Sequence, residues 1–369
     1  RYLGLHYGKH HNFPAIGTTG NSKSFDTTND TLVVWVLEQQ RRNQTIECGA
    51  LAYDRANTTC VYGRTDNYQF LRPNTYIAGI QLDNFPRRER NFFLRFFTWG
   101  DGKLIPGHLV IANPLYGEPF PEWKAEPLPR TDVDGNLEVT LDHSVSGALR
   151  PDILRNVPTD DPLNRKARFG LTIRQNGQPS TNWRVTGVEI SDATGNCLRS
   201  IVSPYDGAAQ DVYAQPLWPD EPWKIRLELS KFSSFDADET WTVTNVPVIR
   251  GNQRDVWNYW TNSSAFAETL AHGIQLKAFP AARLTNHNGG TNIEVQFHMD
   301  PPPEHESARF QLLTATDDQG RSLGSPNHRE NGGDYYFTFP NTPDTHTWNF
   351  TVALHKSRVF EFTAAPTRQ

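Results

Sequence analysis

The chain has 369 residues, with 36 Lys and Arg against 41 Asp and Glu, and a net charge of −5 at pH 7. This length allows two or three domains, and the scattered charges exclude a basic arm for nucleic acid or an acidic tail. No apolar run approaches the roughly 18 residues of a membrane span. We therefore expect no nucleic-acid partner and no membrane span in this chain.

The opening segment RYLGLHYGKHHNF predicts a strand, because Leu3, Leu5 and Tyr7 alternate along one face. Two alternatives follow: the strand completes the first domain, or it is donated to a neighbouring copy as a subunit contact. The chain begins with Arg1 rather than Met, which predicts a processed N-terminus. A removed signal peptide and a trimmed end are the alternatives.

Three histidines, His6, His10 and His11, follow closely in this segment and raise the question of a metal site. Zinc ligands must converge on one point, whereas neighbouring residues of a strand, such as His10 and His11, face opposite sides. We therefore expect solvated or turn histidines, and we predict no metal and no other cofactor.

Cysteine is scarce. Cys48 and Cys60 lie in one predicted hairpin and are candidates for a disulfide, although a simple turn near Arg55 would not set them directly opposite. Cys197 makes the count odd. Five Asn-X-Ser/Thr sequons are candidate glycosylation sites: Asn29, Asn43, Asn57, Asn262 and Asn349.

An internal repeat is the strongest signal. The pattern D-x-x-G-x-x-L-x-S starts at Asp192 and again at Asp317, and the pattern W-x-φ-x-φ-x-L-x-K, with φ apolar, starts at Trp223 and again at Trp348. Both motifs recur after the same interval, which indicates tandem copies of one unit. A weaker copy starts at Asp54, and each copy has an aromatic-Pro pair before its aromatic strand: Phe85-Pro86, Trp218-Pro219 and Phe339-Pro340.

Short apolar runs between turn-rich segments predict an all-β fold. We predict three tandem antiparallel β-sandwich domains of immunoglobulin-like or fibronectin-like type. The segment SSAFAETLAHG, with Ser264 as a cap and Gly273 at its end, predicts a short helical insertion before the third domain. The predicted boundaries are domain 1 at 1–118, a Pro-rich connector at 119–133, domain 2 at 134–250, a linker with the helix at 251–273, and domain 3 at 274–369.

Two acidic clusters occur, and neither matches a complete calcium-binding pattern. The segment from Asp132 to Glu138 resembles half of a calcium loop, but an Asp-Gly turn at Asp134 and Gly135 is the interpretation we favour. Asp236 and its acidic neighbours predict a solvated loop. No catalytic motif occurs, neither a nucleophile elbow nor a phosphate loop nor a metalloprotease helix, so we predict no catalytic residue.

Aromatic residues outside the predicted strands are candidates for binding. Trp257, Tyr259 and Trp260 cluster in the segment VWNYW, and Trp123 lies in the Pro-rich connector. Such rings stack on sugars, pack against another subunit or cover a domain junction. We favour the junction.

Three segments carry a family resemblance. GLHYGKHHNF, YIAGIQLDNFPRRERNFFLRFF and HLVIANPLYGEPFPEWKAEPLPRTDVDGNLEVTL are similar to uncharacterised multi-domain β proteins predicted from planctomycete and verrucomicrobial bacteria. The resemblance spans domain 1, the connector and the start of domain 2. It implies a bacterial, exported protein and transfers no activity to any residue.

These observations predict a non-enzymatic structural protein at the cell surface or outside the cell. We expect it to assemble with copies of itself, or with the cell envelope, as a filament, pilus-like fibre or surface layer, since sheet edges are templates for pairing. One alternative is a carbohydrate- or surface-binding protein. The second is a hydrolase whose active site is not readable from the sequence.

Overall fold

The structure is a computed structural model of the chain. It describes fifteen parts of the sequence: residues 1–14, 24–39, 48–54, 61–72, 75–98, 105–149, 165–202, 211–250, 260, 264–285, 291–300, 308–324, 326–331, 333–340 and 345–369.

The fold is all-β, as predicted. The described residues include a short 3-10 helix at Ala237–Glu239. No helix among the described residues is long and apolar enough to cross a membrane. The first thirteen strands are β1 Tyr2–Asn12, β2 Ser24–Gln39, β3 Cys48–Tyr53, β4 Val61–Arg72, β5 Thr75–Leu82, β6 Asn91–Thr98, β7 Leu109–Ala112, β8 Arg130–Asp134, β9 Leu137–Leu149, β10 Arg165–Gln175, β11 Gln178–Pro179, β12 Trp183–Asp192 and β13 Cys197–Ile201.

The remaining strands complete the element order. They are β14 Asp211–Ala214, β15 Trp223–Lys231, β16 Thr240–Arg250, β17 Ala267–Ala271, β18 Ile274–Ala278, β19 Ala281–Thr285, β20 Thr291–Asp300, β21 Ala308–Asp317, β22 Asn327–Asn331, β23 Asp334–Pro340, β24 Thr347–Lys356, β25 Arg358–Ala364 and β26 Thr367–Arg368.

The strands form four sheets. A seven-stranded sheet has the order β1-β2-β5-β4-β3-β6-β7, and a four-stranded sheet has the order β13-β12-β15-β25. A six-stranded sheet is built on β11-β10-β9-β26, with β14 beside β10 and β8 beside β9. A nine-stranded sheet follows β17-β18-β20-β19-β16-β24-β21, with β23 on β20 and β22 on β23. The described pairs are mainly antiparallel; β16 with β19 and β26 with β9 are parallel.

The predicted helical insertion is wrong, because the segment forms a hairpin. Strand β17 pairs with β18 from Ala267 with Ala278 to Ala271 with Ile274. The two residues between them, His272 and Gly273, have φ of 51° and 80°. Two positive φ values are the signature of the tight turn that matches the twist of a hairpin. Gly273 therefore closes a hairpin rather than a helix.

The chain divides into two compact units. Unit 1 comprises residues 1–180, 185–227 and 359–369, and unit 2 comprises residues 181–184 and 228–358. The predicted boundaries of three domains remain a prediction.

The tryptophans of the repeat are core residues, as their alternation predicted. Trp223 in β15 and Trp348 in β24 are fully buried. Burial of a ring of this size contributes several kcal/mol to folding, at about 25 cal/mol per Å². In unit 2, Trp348 belongs to a cluster with side chains of β18, β20, β21 and β23.

Candidate functional site

Strand β17 is an open edge of the nine-stranded sheet. Among the described residues it pairs only with β18, and that pairing has no register shift. Ala267 and Ala271 pack against the core, so Glu268 and Leu270, which alternate with them along the strand, face outward. Leu270 is 72% exposed and Phe266, just before the strand, is 42% exposed. An exposed, regular and apolar edge is a template for pairing with another strand.

Strand β1 is also an edge strand, but an irregular one. It pairs with β2 of the same chain, and its register shifts twice, between Tyr2 and Gly4 and between Gly8 and His10. Gly4 and Gly8 have φ of 145° and 141°. Bulges of this kind twist an edge away from a flat partner. Leu3, Leu5 and Tyr7, the predicted subunit-contact residues, are half-buried within their own chain.

The bulge at Gly8 corrects the expectation for the histidines. In a regular strand, His6 and His11 would face opposite sides, but the register of β1 on β2 shifts between Gly8 and His10, and the two side chains meet. Their Nδ1 atoms lie 3.1 Å apart. His11 is fully buried and stacks on Phe25, so it is not a solvated histidine. Burial, together with the nearby His6, lowers the pKa of His11.

His10 lies on the other side of the strand, as its position predicted. It is exposed, and its Nδ1 lies 2.7 Å from Asp26 Oδ1.

A buried turn of unit 1 is held by one carboxylate. Asp192 Oδ1 accepts hydrogen bonds from the Thr194 backbone N–H and hydroxyl and from the Asn196 N–H, at 2.6–3.1 Å. Asn196 in turn binds the backbone of Phe85 in both directions: its Oδ1 accepts from the N–H at 3.2 Å and its Nδ2 donates to the carbonyl at 3.1 Å. The Asn196 side-chain amide thus bonds the buried backbone of Phe85 as a neighbouring strand would.

A small cavity of about 40 Å³ lies beside this turn. It is lined by several charged residues, and single oxygens of Asp54, Glu89 and Asp220 lie within 4.8 Å of one another. Three carboxylates at this spacing are compatible with an oxygen-liganded cation. Asp220, however, pairs with Arg368, and Asp54 and Glu89 have further interactions. All three carboxylates thus interact with other groups of the protein.

The loop that lines the cavity is stiffened by Asn113. Its side-chain amide nitrogen lies 2.7–3.0 Å from the carbonyls of Pro86, Arg87 and Glu89. Arg88 pairs with Glu221, and burial raises the pKa of Glu221 despite that partner. A cavity of this size holds one or two water-sized groups, far below the roughly 300 Å³ of a typical small-molecule pocket.

Unit 2 contains a buried polar group around His355. His355 is 1% exposed, its Nε2 accepts the Lys231 backbone N–H at 3.1 Å, and its Nδ1 has no hydrogen-bond partner within the described part of the chain. Burial lowers the pKa of His355 to about 4, and the positive charges of Lys231, Arg309 and His272 contribute in the same direction.

The acidic loop beside Lys231 is more ordered than expected. Lys231 Nζ lies 2.7 Å from both Asp236 Oδ2 and Glu239 Oε2, and the Glu239 side chain is largely buried. Asp236 and Asp238 are exposed, as expected for a solvated loop, and the ion pairs with Lys231 add to that prediction. The half calcium loop at Asp132 to Gly135 forms the favoured turn, since β8 and β9 join there as a hairpin.

Of the predicted stacking aromatics, Trp123 and Trp260 lie within the described residues. Trp260 is 5% exposed, donates from Nε1 to the Pro280 carbonyl at 3.0 Å and packs near Tyr336. This burial corrects the expectation that Trp260 could stack on a sugar. Trp123 is half-buried, and Trp257 and Tyr259 lie outside the described residues.

The remaining predicted sites are only partly described. Cys60 lies outside the described residues and the side chain of Cys48 does too, so the disulfide stays a prediction; Cys197 is a free, exposed thiol. Asn29 is exposed, whereas Asn349 is half-buried and its Oδ1 accepts the Asn245 N–H at 2.9 Å. The sequons at Asn43, Asn57 and Asn262 lie outside the described residues.

Two features escaped the reasoning from sequence. The open edge at β17 was hidden by the helix-like spacing of its segment, and the hairpin turn His-Gly was the signal that could have revealed it. The docking of Asn196 on Phe85 joins residues that are distant in the chain, and no local pattern announces it. No protein-family model matches this chain, and no curated protein matches it, so the resemblance to bacterial multi-domain β proteins stays a prediction.

Proposed function

We propose that this chain is a structural protein, outside the cell or at its surface, that assembles with copies of itself through the β17 edge. Tandem sandwich-like domains would carry that edge. The observation that carries the proposal is Leu270, which is the most exposed large apolar side chain of the described residues at 72% and lies on a regular edge strand. Monomeric proteins normally blunt such edges.

The β17 sequence suits pairing with itself. An antiparallel pair centred on Thr269 sets Glu268 of one copy against Leu270 of the other, so no like charges stand opposite each other. Thr269 meets its own counterpart, and Thr–Thr pairs are favourable in such ladders. Glu268 already accepts a hydrogen bond from Gln275 at 2.7 Å. It therefore enters the pair with its charge partly satisfied.

A filament needs a second interface on each copy, because one self-pairing edge closes a dimer. Strand β7, the last strand of the seven-stranded sheet, offers one in unit 1, with Val110 59% exposed. Each contact is small, so we expect reversible association that grows with concentration.

Sedimentation velocity and electron microscopy of the native protein test the proposal. We expect concentration-dependent association in the wild type and at least about tenfold weaker association in Leu270→Lys, since a lysine on an edge blocks pairing. Tyr116→Lys is the matched control, because Tyr116 is 58% exposed but lies outside the strands. Strictly monomeric wild-type protein at high concentration and native salt would overturn the proposal.

A further inference from the structure

We propose that His6 and His11 form a two-histidine site for a divalent transition-metal ion of the Cu²⁺, Ni²⁺ and Zn²⁺ class. The proposal is independent of self-assembly. Imidazole nitrogen is the side-chain ligand that this class of ion prefers.

The spacing of the two ligand atoms fits such an ion. Two nitrogens that are each about 2.0–2.1 Å from one metal, at square or tetrahedral angles, lie about 2.8–3.4 Å apart. The Nδ1 atoms of His6 and His11 lie 3.1 Å apart. Their rings meet edge to face, at 88°.

The second nitrogen of His11 has a neighbour that sets its tautomer. The Thr27 hydroxyl donates to the Asn29 carbonyl at 2.8 Å, which leaves its oxygen free to accept from His11 Nε2 at 3.4 Å. With the proton on Nε2, His11 Nδ1 presents a lone pair towards His6. Hydrogen bonding at the far nitrogen is the usual way in which a protein orients a metal-binding imidazole.

The ion would take the position of the proton that lies between the two Nδ1 atoms. Without metal, His6 Nδ1–H donates to His11 Nδ1. On binding, His6 moves that proton to its own Nε2, so that both Nδ1 lone pairs become available and no proton is lost. His6 is exposed, and water completes the coordination on that side.

The test is a titration of the full chain with Cu²⁺, and then with Zn²⁺, by calorimetry with a competing chelator. We expect His6→Ala and His11→Ala each to weaken binding by more than about tenfold. His10→Ala is the matched control: His10 is adjacent in sequence but faces Asp26 on the other side, and its variant should bind as the wild type does.

Two further measurements keep the result decisive. Zn²⁺ should raise the Tm of the wild type and of His10→Ala but not that of His6→Ala, whose exposed position leaves the fold intact by circular dichroism. Paramagnetic resonance of the Cu²⁺ complex should show two coordinated nitrogens. Binding that survives His6→Ala unchanged, or that falls equally in His10→Ala, would overturn the proposal, as would one coordinated nitrogen.

Discussion

The turn at Asp192 and the turn at Asp317 share one backbone design but differ in their surroundings. In both, the carboxylate Oδ1 accepts from the N–H groups two and four residues on. A glycine with positive φ stands at the same place, Gly195 at 90° and Gly320 at 74°. The Asp-x-x-Gly spacing thus specifies the turn wherever it occurs, because the carboxylate replaces backbone acceptors and the glycine allows the left-handed backbone.

The residue four places after the aspartate makes the difference. In unit 1 it is Asn196, which is buried and binds the backbone of Phe85. In unit 2 it is Arg321, which folds back so that its Nε donates to Asp317 Oδ2 at 2.6 Å and remains exposed. The turn at Asp192 therefore binds another segment of the chain, whereas the turn at Asp317 is the solvated end of a hairpin.

The largest expected effect follows removal of the buried carboxylate. Asp192→Ala leaves the N–H groups of Thr194 and Asn196 buried without an acceptor, and we expect a loss of roughly 3 kcal/mol in the free energy of unfolding. Asp317→Ala should cost clearly less, because residues 318–321 are exposed and water replaces the carboxylate. Urea unfolding of both variants measures the difference. Equal losses would mean that the two turns are energetically alike.

Acid offers a second way to separate the units. His355 in unit 2 has a folded pKa of about 4 against an ordinary 6.5. As the pH falls below 6.5, the unfolded chain takes up a proton before the folded chain does. The stability that His355 contributes is therefore complete above pH 6.5 and is lost as the pH falls towards 4, by about 3 kcal/mol.

The check compares the wild type with His355→Gln, which keeps an acceptor for the Lys231 N–H but does not titrate. The wild type should lose about 3 kcal/mol more than the variant between pH 7 and pH 4. Parallel pH profiles would show that another group controls the acid response of unit 2.

Loss of the docking amide should have a smaller effect. Asn196→Ala removes both hydrogen bonds to the Phe85 backbone, and we expect a loss of roughly 2 kcal/mol. Hydrogen exchange should show faster exchange of the Phe85 amide, while the Asp192 carboxylate still holds the turn. Unchanged protection of that amide would indicate that the loop is held by other contacts.

The smallest effect should come from the corresponding residue in unit 2. The Arg321 side chain is about half exposed in its ion pair with Asp317, so Arg321→Ala should change stability by no more than ~0.5 kcal/mol. The Tm is sufficient to measure it. A loss as large as that of Asn196→Ala would show that Arg321 also docks a partner segment.

Some features of the fold follow from short-range patterns. The all-β class, the burial of Trp223 and Trp348 and the hairpin at Gly135 were predicted from alternation and turn residues, because strand period and turn chemistry act over a few residues. The repeat also predicts the same role for Asp54, which is buried like Asp192 and Asp317, although the rest of its turn lies outside the described residues.

Other features failed or were invisible for identifiable reasons. The segment at Ala267 to Gly273 has helix-like spacing, but strand β20 pairs with β18 and imposes an extended backbone on the hairpin; tertiary pairing overrides local propensity there. The contact between His6 and His11 was not predicted, because the prediction assumed a regular strand. The irregularity depends on how β1 meets β2, and a shift of register changes the faces that the later residues occupy.

The sequence by itself determined the local units: strands of period two, the Asp-Gly turn, and a repeated aspartate turn. Each depends on backbone sterics and on hydrogen bonds between residues a few positions apart. Only the tertiary structure decided which turn is buried, that Asn196 reaches Phe85, that His6 meets His11, and that Leu270 lies on an open edge. These outcomes depend on pairing between segments distant in the chain, and a short sequence pattern does not specify that pairing.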